Sequence, residues 1–475
     1  MLRTILWIAV FSWIGSFVPR AGAQSLSAAD QMARDVFKQL IEINTTDSVG
    51  NVSTAAEAMA ERLRNAGFAE DDLHVAGPND RKRNLVVRFR GTGKRKAILF
   101  IGHLDVVEAL RQDWTTDPFQ FLEKDGYFYG RGTEDMKEGD AILVTNFIRL
   151  KKEGFRPDRD LILALTADEE GGSANGVNWL LEQHRDWIDA EYCLNLDGGE
   201  FEKENGKRIL AAIQASEKVY VDFQFESLNP GGHSSVPTRD NAIYHLAGAL
   251  GRLESFSFPL HLNEITRNYF ARMAALGSAQ ESADMKAILK EPPDPAAARR
   301  LSANAYYNSL LHTTCVATML SGGHAPNALP QTARANVNCR IFPGEDPREV
   351  LKTLVRVAND PKVRISTVKQ TDPDGKVVPV VPVPPSPLLP EVTQAVEKTL
   401  SHTWPGVPLV ATMSTGATDG KYTRIAGIPT YGVSCMFFDK NDDRSHGKDE
   451  RVGVQDFYDG VAFNYALVRE LSSPR

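Results

Sequence analysis

Imidazole and carboxylate side chains recur along this 475-residue sequence directly after short apolar runs. The first pair is His103 and Asp105, which follow the apolar run 97–101. The later groups of this kind are Glu134-Asp135, Asp168-Glu169-Glu170, Asp197 and His446. Neutral imidazole and carboxylate are the ligand set of Zn²⁺, and two ions need about five side chains with one carboxylate shared. Each residue alone is an ordinary core, surface or turn residue, but their joint occurrence indicates a metal site.

The residues between these groups predict the elements that must position them. Short apolar runs alternate with helical patterns from about residue 28 to residue 213. The runs 97–101, 161–165 and 193–196 are apolar on both faces, which is typical of buried strands in a largely parallel sheet. Ligand sites of open α/β sheets gather at the carboxyl ends of strands. The sequence therefore predicts an α/β fold with its chemistry at one edge of the sheet.

A second pattern begins near residue 217. Apolar and polar residues alternate over 219–226 and 333–341, which is typical of antiparallel strands with one wet face. We therefore expect a smaller α+β domain over residues 215–383, inserted into a catalytic α/β domain of residues 24–214 and 384–475. Residues 279–302 look like an insertion within it, and residues 377–390, with six prolines, resemble a semi-rigid linker.

The first 23 residues predict a signal peptide. They combine a basic start at Arg3, an apolar stretch over 5–18 and the small residues Ala21-Gly22-Ala23. An uncleaved anchor helix is the alternative, but the apolar stretch is shorter than the ~20 residues that a membrane span needs. We expect an exported protein, periplasmic or secreted, that has no membrane contact after cleavage.

Composition excludes several classes of protein. A hydrophobic share of 42% and a charged share of 24% are those of a globular chain, not of a disordered or fibrous one. The net charge of −7 argues against nucleic acid as a partner, because neutralising phosphates requires a basic face.

Five motifs together resemble the M20 family of metallopeptidases. They are His103-x-Asp105, Asp135-Met136-Lys137-x-Gly139, Glu169-Glu170-Gly171, Asp197 and the late His446. That family includes carnosine dipeptidases, carboxypeptidases, aminoacylases and acyl-diamine deacylases. The resemblance covers nearly the whole chain after residue 23. It implies a zinc-peptidase-type catalytic domain with a mixed, largely parallel sheet, interrupted by a smaller lid or dimerisation domain.

The resemblance also implies a set of metal ligands. Asp135 would bridge two Zn²⁺ ions in each subunit, with Co²⁺ or Mn²⁺ as alternative metals. His103 and Asp197 would complete one site, and Glu170 and His446 would complete the other.

Further residues take catalytic roles by the same resemblance. Glu169 would be the general base that acts on a metal-bridging water. Asp105 would hydrogen-bond His103 and hold its tautomer. His233, in the segment 229–235, would reach the active site of the other subunit and stabilise the oxyanion, which implies a homodimer. A solvent-exposed turn histidine is the alternative for His233. Glu450 matches an acidic position that follows the last ligand in sequence, where it would support the ligands.

Two segments resemble the substrate-binding parts of the family. Asn327 and Arg340 match the reader of the substrate carboxylate, since a planar guanidinium binds a carboxylate with two hydrogen bonds. A strand-face arginine paired with an acid is the alternative for Arg340. Gly416 and Thr418 lie in a loop that resembles the family's Gly-rich substrate loop. A surface turn is the alternative for this loop.

Two points stay open at the level of sequence. The basic residues after the Gly-rich loop, Lys421 and Arg424, leave undecided which of them faces the substrate. Cys315 and Cys339 lie on strands that could be neighbours, and export would allow a bridge between them. Buried free thiols, as expected for Cys193, are the preferred interpretation.

These inferences predict an exported dizinc metallopeptidase. It would hydrolyse an amide bond of a dipeptide or short peptide that bears a free carboxylate. The alternative is an aminoacylase-like enzyme that deacylates N-acyl amino acids at the same site. A rival from another class is a metal-binding or peptide-binding protein without turnover. Aspartate at position 197 favours peptides weakly, because it is more typical of the family's dipeptidases than of its deacylases.

Overall fold

The computed structural model describes residues 26–371, 377–378 and 380–474. The predicted signal peptide, residues 1–23, lies outside the described residues, so its assignment stays a prediction. A search of the described residues for helices both long and apolar enough to cross a bilayer found none.

The described ranges contain fourteen α-helices and twenty-one β-strands. The helices are α1 Ala28–Glu42, α2 Val52–Asn65, α3 Lys137–Lys152, α4 Gly176–Gln183, α5 Arg185–Ile188, α6 Ala242–Glu254, α7 Glu264–Met273, α8 Ala279–Ile288, α9 Pro295–Leu301, α10 Ala305–Leu311, α11 Pro347–Ala358, α12 Pro390–Thr403, α13 Gly420–Ile425 and α14 Val454–Ser472. The strands are β1 Leu73–Ala76, β2 Asn84–Phe89, β3 Ile98–His103, β4 Leu122–Lys124, β5 Tyr127–Tyr129, β6 Leu161–Thr166, β7 Tyr192–Asn195, β8 Phe201–Glu204, β9 Lys207–Glu217, β10 Val219–Leu228, β11 Gly232–His233, β12 Thr314–Gly322, β13 Ala328–Leu329, β14 Thr332–Ile341, β15 Val363–Thr367, β16 Gln370–Thr371, β17 Val377–Val378, β18 Leu409–Ser414, β19 Thr430–Gly432, β20 Phe438–Asp439 and β21 Arg451–Gly453.

A mixed ten-stranded sheet forms the centre of the larger part of the molecule. Its strand order is β1-β2-β6-β3-β7-β19-β9-β8-β20, with β18 paired to β9. The three predicted apolar runs form β6, β3 and β7, which are neighbours and parallel. All their residues are buried, because helices cover both faces of the sheet. The predicted α/β fold with a largely parallel centre is therefore confirmed.

The carboxyl ends of these three strands meet at one edge, as parallel strands must. His103 is the last residue of β3, and Asp168 and Asp197 lie two residues beyond β6 and β7. The turn after β7 also requires glycine, because a Cβ on Gly199 would lie 2.5 Å from the carbonyl oxygen of Gly432. The central strands thus deliver the predicted chemistry to one place.

A second sheet, β12-β14-β10-β15, is antiparallel throughout. Alternate residues of β10 and β14 are buried against α6 and α11, as the alternating pattern predicted. On the opposite face β10 and β14 carry mostly polar residues, whereas the edge strand β12 exposes Val316 and Met319 there. The sheet has its own hydrophobic cluster, whereas the exact domain boundaries stay a prediction.

The predicted insertion 279–302 is an ordered helical layer. It forms α8 and α9, whose buried Met285 and Ile288 pack in one cluster with residues of β9 and β18. The physical reason is that its apolar residues recur at helical spacing despite its prolines and polar composition.

Two chain segments pass between the two sheets side by side. The outgoing segment runs through residues 215–218, and the returning segment reaches Ser386, whose backbone N–H donates to the carbonyl oxygen of Ala215 at 2.8 Å. We call residues 215–218 and 384–386 the crossing pair. Val383, in the proline-rich segment just before it, is buried in the cluster of the second sheet. The part of the expected linker from residue 383 onward is therefore packed.

The cysteines depart from the preferred interpretation. Cys315 and Cys339 are directly opposite each other on β12 and β14 and form a disulfide, so the expectation of free thiols there is wrong. The sequence could not show this, because the register that aligns the two residues depends on the whole strand pair. Cys193 and Cys435 are buried thiols, as expected for Cys193.

The disulfide predicts a simple thiol count. Of the four cysteines, two should react with a thiol reagent in denatured, unreduced protein, and all four should react after reduction. Closing a loop of this length lowers the entropy of the unfolded chain, so the double variant C315S/C339S should lose about 2–4 kcal/mol of unfolding free energy in a urea titration. Four reactive thiols before reduction would contradict the bridge. C193S, which removes a buried thiol outside the bridge, is the control for the thiol count.

Candidate metal centre

Five side chains converge at the carboxyl edge of the central strands. Two groups have their ligand atoms within 4.8 Å of one another, His103-Asp135-Asp197 and Asp135-Glu170-His446. One carboxylate oxygen of Asp135 lies 3.0 Å from Nε2 of His103, and the other lies 3.0 Å from Nε2 of His446. Asp135 therefore faces both groups with one oxygen each, which is the arrangement of a carboxylate shared by two cations.

The electrostatics of this cluster favour bound positive charge. Burial raises the pKa of Asp197 well above its ordinary value, and the neighbouring Glu169 and Asp135 raise it further. Burial lowers the pKa of His103, but hydrogen bonding to Asp135 and the charge of Asp197 outweigh burial and raise it. Two imidazoles and three carboxylates at this spacing fit two divalent cations of the Zn²⁺ type.

The imidazole of His103 has a defined tautomer. Its Nδ1–H donates to the backbone carbonyl oxygen of Asp105 at 3.0 Å, so the neutral form that a cation would bind carries its lone pair on Nε2, directed at the ligand cluster. The carboxylate of Asp105 is 3.8 Å from the same nitrogen, so the expected carboxylate-to-imidazole hydrogen bond is absent from the pair. The backbone of Asp105, and not its carboxylate, therefore orients the imidazole of His103.

The carboxylate of Asp105 instead holds the next turn. Its two oxygens accept from the backbone N–H groups of Glu169 at 3.2 Å and Glu170 at 3.0 Å. These bonds fix the adjacent glutamates in different directions. Burial raises the pKa of Glu169 well above its ordinary value, and the acidic neighbours Asp419 and Glu170 add to the shift. A carboxyl with a raised pKa beside a cation site is suited to accepting and passing on a proton.

A buried ion pair that the sequence reasoning missed fixes the turn before Asp135. The carboxylate of Glu450 accepts from Arg131 at 2.5 Å and from the backbone N–H groups of Glu134 at 2.6 Å and Asp135 at 3.2 Å. Arg131 also donates to the carbonyl oxygen of Gly447 at 2.8 Å. The pair thus connects the turn of Asp135 to the turn of His446. This contact agrees with the role expected of Glu450, which is to support the ligands. The sequence feature that could have indicated Arg131 is its position between two glycines, shortly before the ligand Asp135.

Lys82 is a second anchor that no motif indicated. Its ammonium is buried and donates to Asp168 and, at 2.8 Å, to Asp47. Asp168 has a φ of +57°, an unusual conformation for a residue with a side chain, and lies directly before Glu169. The ion pair therefore stabilises the strained start of the turn that carries the two glutamates.

His233 and Asn327 lie together in the inserted part of the chain. The two-residue strand β11 pairs His233 with Ala328, and the N–H of Ser234 donates to the carbonyl oxygen of Asn327 at 3.1 Å. Nδ1 of His233 accepts from the N–H of Ser235 at 3.2 Å, so its neutral form carries the proton on Nε2. Within the described residues, no hydrogen bond joins His233 to the five ligands.

Arg340 lies on the polar face of the second sheet. Its guanidinium is 4.7 Å from the centre of the Tyr220 ring, and burial lowers its pKa from the ordinary value. Tyr220 donates to Asp222 at 2.8 Å, and Asp222 also accepts from Asn336 and Asn338. This face therefore presents a half-buried guanidinium with polar neighbours.

The residues of the Gly-rich loop differ in exposure. Gly416 is partly exposed, whereas the hydroxyl of Thr418 is buried and donates to Glu217 at 2.9 Å, so the predicted substrate contact of Thr418 stays a prediction. Arg424 is also buried, and its guanidinium lies 3.2 Å from Glu217. Of the two basic residues left open, only Lys421 is partly exposed. The cause is the buried charge of Glu217, which draws both polar groups inward.

The fold and the cluster define a metal-dependent hydrolase of the peptidase and amidohydrolase class. The chain belongs to the peptidase family M20/M25/M40, whose model matches residues 99–470. It is 28% identical over 386 residues to the human N-fatty-acyl-amino acid synthase/hydrolase PM20D1, which covers 78% of this chain and 73% of that protein. It is 27% identical over 403 residues to the probable carboxypeptidase S-like 2 of Dictyostelium discoideum, covering 81% and 74%.

Solved structures confirm the fold. An M20 family metallo-carboxypeptidase from Sulfolobus solfataricus superposes with a TM-score of 0.67 at 15% identity, covering 92% of this chain and 99% of that one. The YXEP protein of Bacillus subtilis, described as a dinuclear metal binding peptidase from the M20 family, gives a TM-score of 0.56 at 12% identity, covering 93% and 97%. The match of the family model to residues 99–470 confirms the family resemblance that the five motifs indicated.

The buried Arg131–Glu450 pair predicts a large effect of removing one partner. R131M should destabilise the protein by about 3–5 kcal/mol, because it leaves the buried Glu450 carboxylate without its cation. It should also lower Zn²⁺ affinity by about 10-fold to 100-fold, because the turns of Asp135 and His446 lose their connection. Urea unfolding and competition with a fluorescent zinc chelator would measure the two effects. R348M, at an arginine whose side chain is 83% exposed, is the matched control and should change neither. Unchanged zinc affinity in R131M would contradict the positioning role.

Proposed function

We propose that this protein is an exported dizinc metallopeptidase that hydrolyses an amide bond next to a free carboxylate in a dipeptide or short peptide. The observation that carries the proposal is the geometry of Asp135, whose two oxygens face two separate imidazole-and-carboxylate groups. His103 and Asp197 would hold one zinc ion and Glu170 and His446 the other. Bound zinc would supply polarisation of the scissile carbonyl and acidification of the attacking water.

The chain's own residues supply proton transfer and charge stabilisation. Glu169, held by Asp105 and free to point away from Glu170, would take the proton of the attacking water and deliver it to the leaving nitrogen. His233 carries its neutral proton on Nε2, so it can donate a hydrogen bond to the oxyanion that develops on the substrate.

Arg340 supports a substrate with a free carboxylate. Its guanidinium is half-buried on the polar sheet face, where a carboxylate would bind it with two hydrogen bonds in partly desolvated surroundings. The Tyr220 ring keeps the guanidinium in place by a cation–π contact. The alternative for Arg340 was an ion pair with an acid. Asp222 acts on Arg340 only through its charge.

A deacylase that releases the amino acid from an N-acyl amino acid is the second candidate. It is favoured by the similarity to the human N-fatty-acyl-amino acid synthase/hydrolase, just as the Dictyostelium relative favours a carboxypeptidase. Both substrates present an amide bond and a terminal carboxylate, so the same residues would serve either. Aspartate at position 197 is the reason for preferring the peptidase.

Export is supported by two independent features. The sequence begins with a basic and apolar segment that ends in small residues, and the Cys315–Cys339 disulfide is of a kind that persists in oxidising compartments. We therefore propose a periplasmic or secreted enzyme.

A homodimer is supported by the edge of the second sheet. Strand β12 is an edge strand, and its Val316, Met319 and Leu320 are each more than half exposed. Ile243 and Tyr244, at the start of α6, are also exposed. An open edge with apolar side chains is a site of strand pairing between chains. Dimerisation would bring a second copy of His233 toward the site.

The proposed roles of Glu169 as base and Glu170 as ligand predict different effects of substituting the two adjacent residues. E169Q should bind two zinc ions per subunit and lose about 10²-fold to 10⁴-fold in kcat, because only proton transfer is removed. E170Q should bind the second ion much more weakly, because one carboxylate ligand becomes a neutral amide. Metal analysis after dialysis and initial rates would separate them. E182Q on α4 is the control for the loss of one surface charge. Full activity of E169Q or of fully chelated enzyme would refute the proposal.

The substrate class is tested with a matched panel. Dipeptides, N-acyl amino acids and the C-terminal amides of both should be assayed with zinc-reconstituted enzyme. Turnover of dipeptides above N-acyl amino acids supports the peptidase, and the reverse order supports the deacylase. R340K should raise KM for the free acids and leave the poor turnover of the amides unchanged, because lysine cannot make the two-bond contact.

Sharing of His233 between subunits predicts recovery of activity on mixing. H233A and E169Q should each be nearly inactive alone. Random pairing places one intact site in half of the dimers, so unfolding, mixing and refolding equal amounts should restore about a quarter of the wild-type activity. A monomer by analytical ultracentrifugation, or no recovery beyond the sum of the two variants, would show that His233 does not act across a dimer.

A further inference from the structure

The loop that carries His233 is closed at its base by one acidic residue. Asp240 lies at the end of the loop, and Asn229 at its start donates to both the carbonyl and the carboxylate oxygen of Asp240 at 3.0 Å. We call residues 229–240 the His233 loop. Its far side is held by the short pairing of β11 with β13. The base therefore depends on what holds Asp240.

Asp240 is held to the body of the second sheet by a histidine outside the loop. His245 lies in the first turn of α6, and its Nε2 is 3.1 Å from the carboxylate of Asp240. Its Nδ1 is 2.7 Å from the carboxylate of Asp360, in the turn between α11 and β15. One imidazole thus bridges two carboxylates from two separate segments.

This bridge requires a protonated imidazole. A carboxylate only accepts hydrogen bonds, and only the imidazolium form of histidine donates from both nitrogens. The neutral form keeps one donor, and the shorter contact to Asp360 would retain it. The bare lone pair of Nε2 would then face the Asp240 carboxylate. Loss of the proton therefore releases the loop side of the bridge first.

We propose that His245 is a positioning residue that holds the base of the His233 loop through Asp240, and that it does so only while it is protonated. The inference rests on the proposed function of His233 for its effect on catalysis. The bridge itself rests on the contacts of His245 alone. The proposal thus makes the action of His233 as oxyanion donor depend on the charge of His245, which lies 12 residues away in sequence.

The surrounding charges fix the direction of the pH dependence. The hydrogen bond to Asp360 raises the pKa of His245, burial opposes it, and the bond to Asp240 raises it further. The other charged groups here are Lys362, 3.5 Å from Asp240, and Arg252, which bonds the carbonyl oxygen of Ala358. A raised pKa means that the bridge is fully present below about pH 6.5, the ordinary histidine value, and is lost as pH rises through the raised value.

The bridge is tested by amide hydrogen exchange on the zinc-loaded full-length enzyme. Protection factors of peptides within 229–241 should fall about tenfold in wild type between about pH 6 and about pH 9, because local opening reports the lost contacts. H245Q should show the low protection at both pH values. H245R keeps its charge and should retain protection at high pH. H402Q removes an exposed histidine on α12 and should behave as wild type.

Activity separates the bridge from the role of His233. In H245Q at about pH 6, kcat should fall about fivefold with little change in KM, and H245R should recover most of it at high pH. D240N removes the same contact from the loop side and should have the same effects. It therefore replaces H245Q if that variant fails to fold. Equal loop protection in wild type, H245Q and D240N would overturn the bridge. Reduced protection with an unchanged kcat would overturn its link to catalysis, and a silent H233A variant in the same assay would place that failure in the proposed role of His233.

Discussion

Repulsion between partly buried carboxylates is the constraint on which the rest of the structure depends. Asp135, Glu170 and Asp197 converge within a few ångströms at the carboxyl edge of the central strands, with Glu169 beside them. Such a group is unstable in a low-dielectric setting unless positive charge lies among it. The two imidazoles supply part of that charge, and divalent cations fit the rest. A fold that gathers these residues must hold each one against its neighbours.

The molecule meets this constraint with anchors set just behind the ligands. The carboxylate of Asp105 holds the backbone of the two glutamates, the carboxylate of Glu450 holds the backbone before Asp135, and Lys82 holds Asp168. Each anchor acts on backbone or on a neighbouring residue, so the ligand side chains keep their own oxygens for metal. Support of this kind is what keeps a site at fixed geometry when its members repel one another.

The sequence predicted the parts of the site that depend on local pattern. His103 and Asp197 follow apolar runs, and parallel strands must bring such ends together. The family resemblance then supplied the remaining ligands. The sequence could not predict that the backbone of Asp105 would serve His103, because a strand pattern fixes which face a residue lies on and not which of its atoms is nearest. The choice depends on the turn after β6, whose amides compete for the carboxylate.

Contacts between residues distant in sequence could not be predicted from the sequence for a related reason. Arg131 and Glu450 are separated by 319 positions, and Cys315 meets Cys339 only because the eight residue pairs of β12 and β14 set the register of the two strands. Thr418 looked like a substrate contact because its loop is Gly-rich. Its hydroxyl donates to the buried Glu217, and no residue near Thr418 in the sequence indicates this contact.

The crossing pair has a mechanical consequence. Ser386 is hydrogen-bonded to Ala215, and the buried Arg424 lies against both Glu217 and Ser386, so the two connections between the sheets are fastened to each other. Any rotation of the second sheet relative to the first would carry Arg340 and the His233 loop with it. It would also strain these fastened connections and the packing of α8 on β9 and β18. The angle between the two sheets is therefore held by both features.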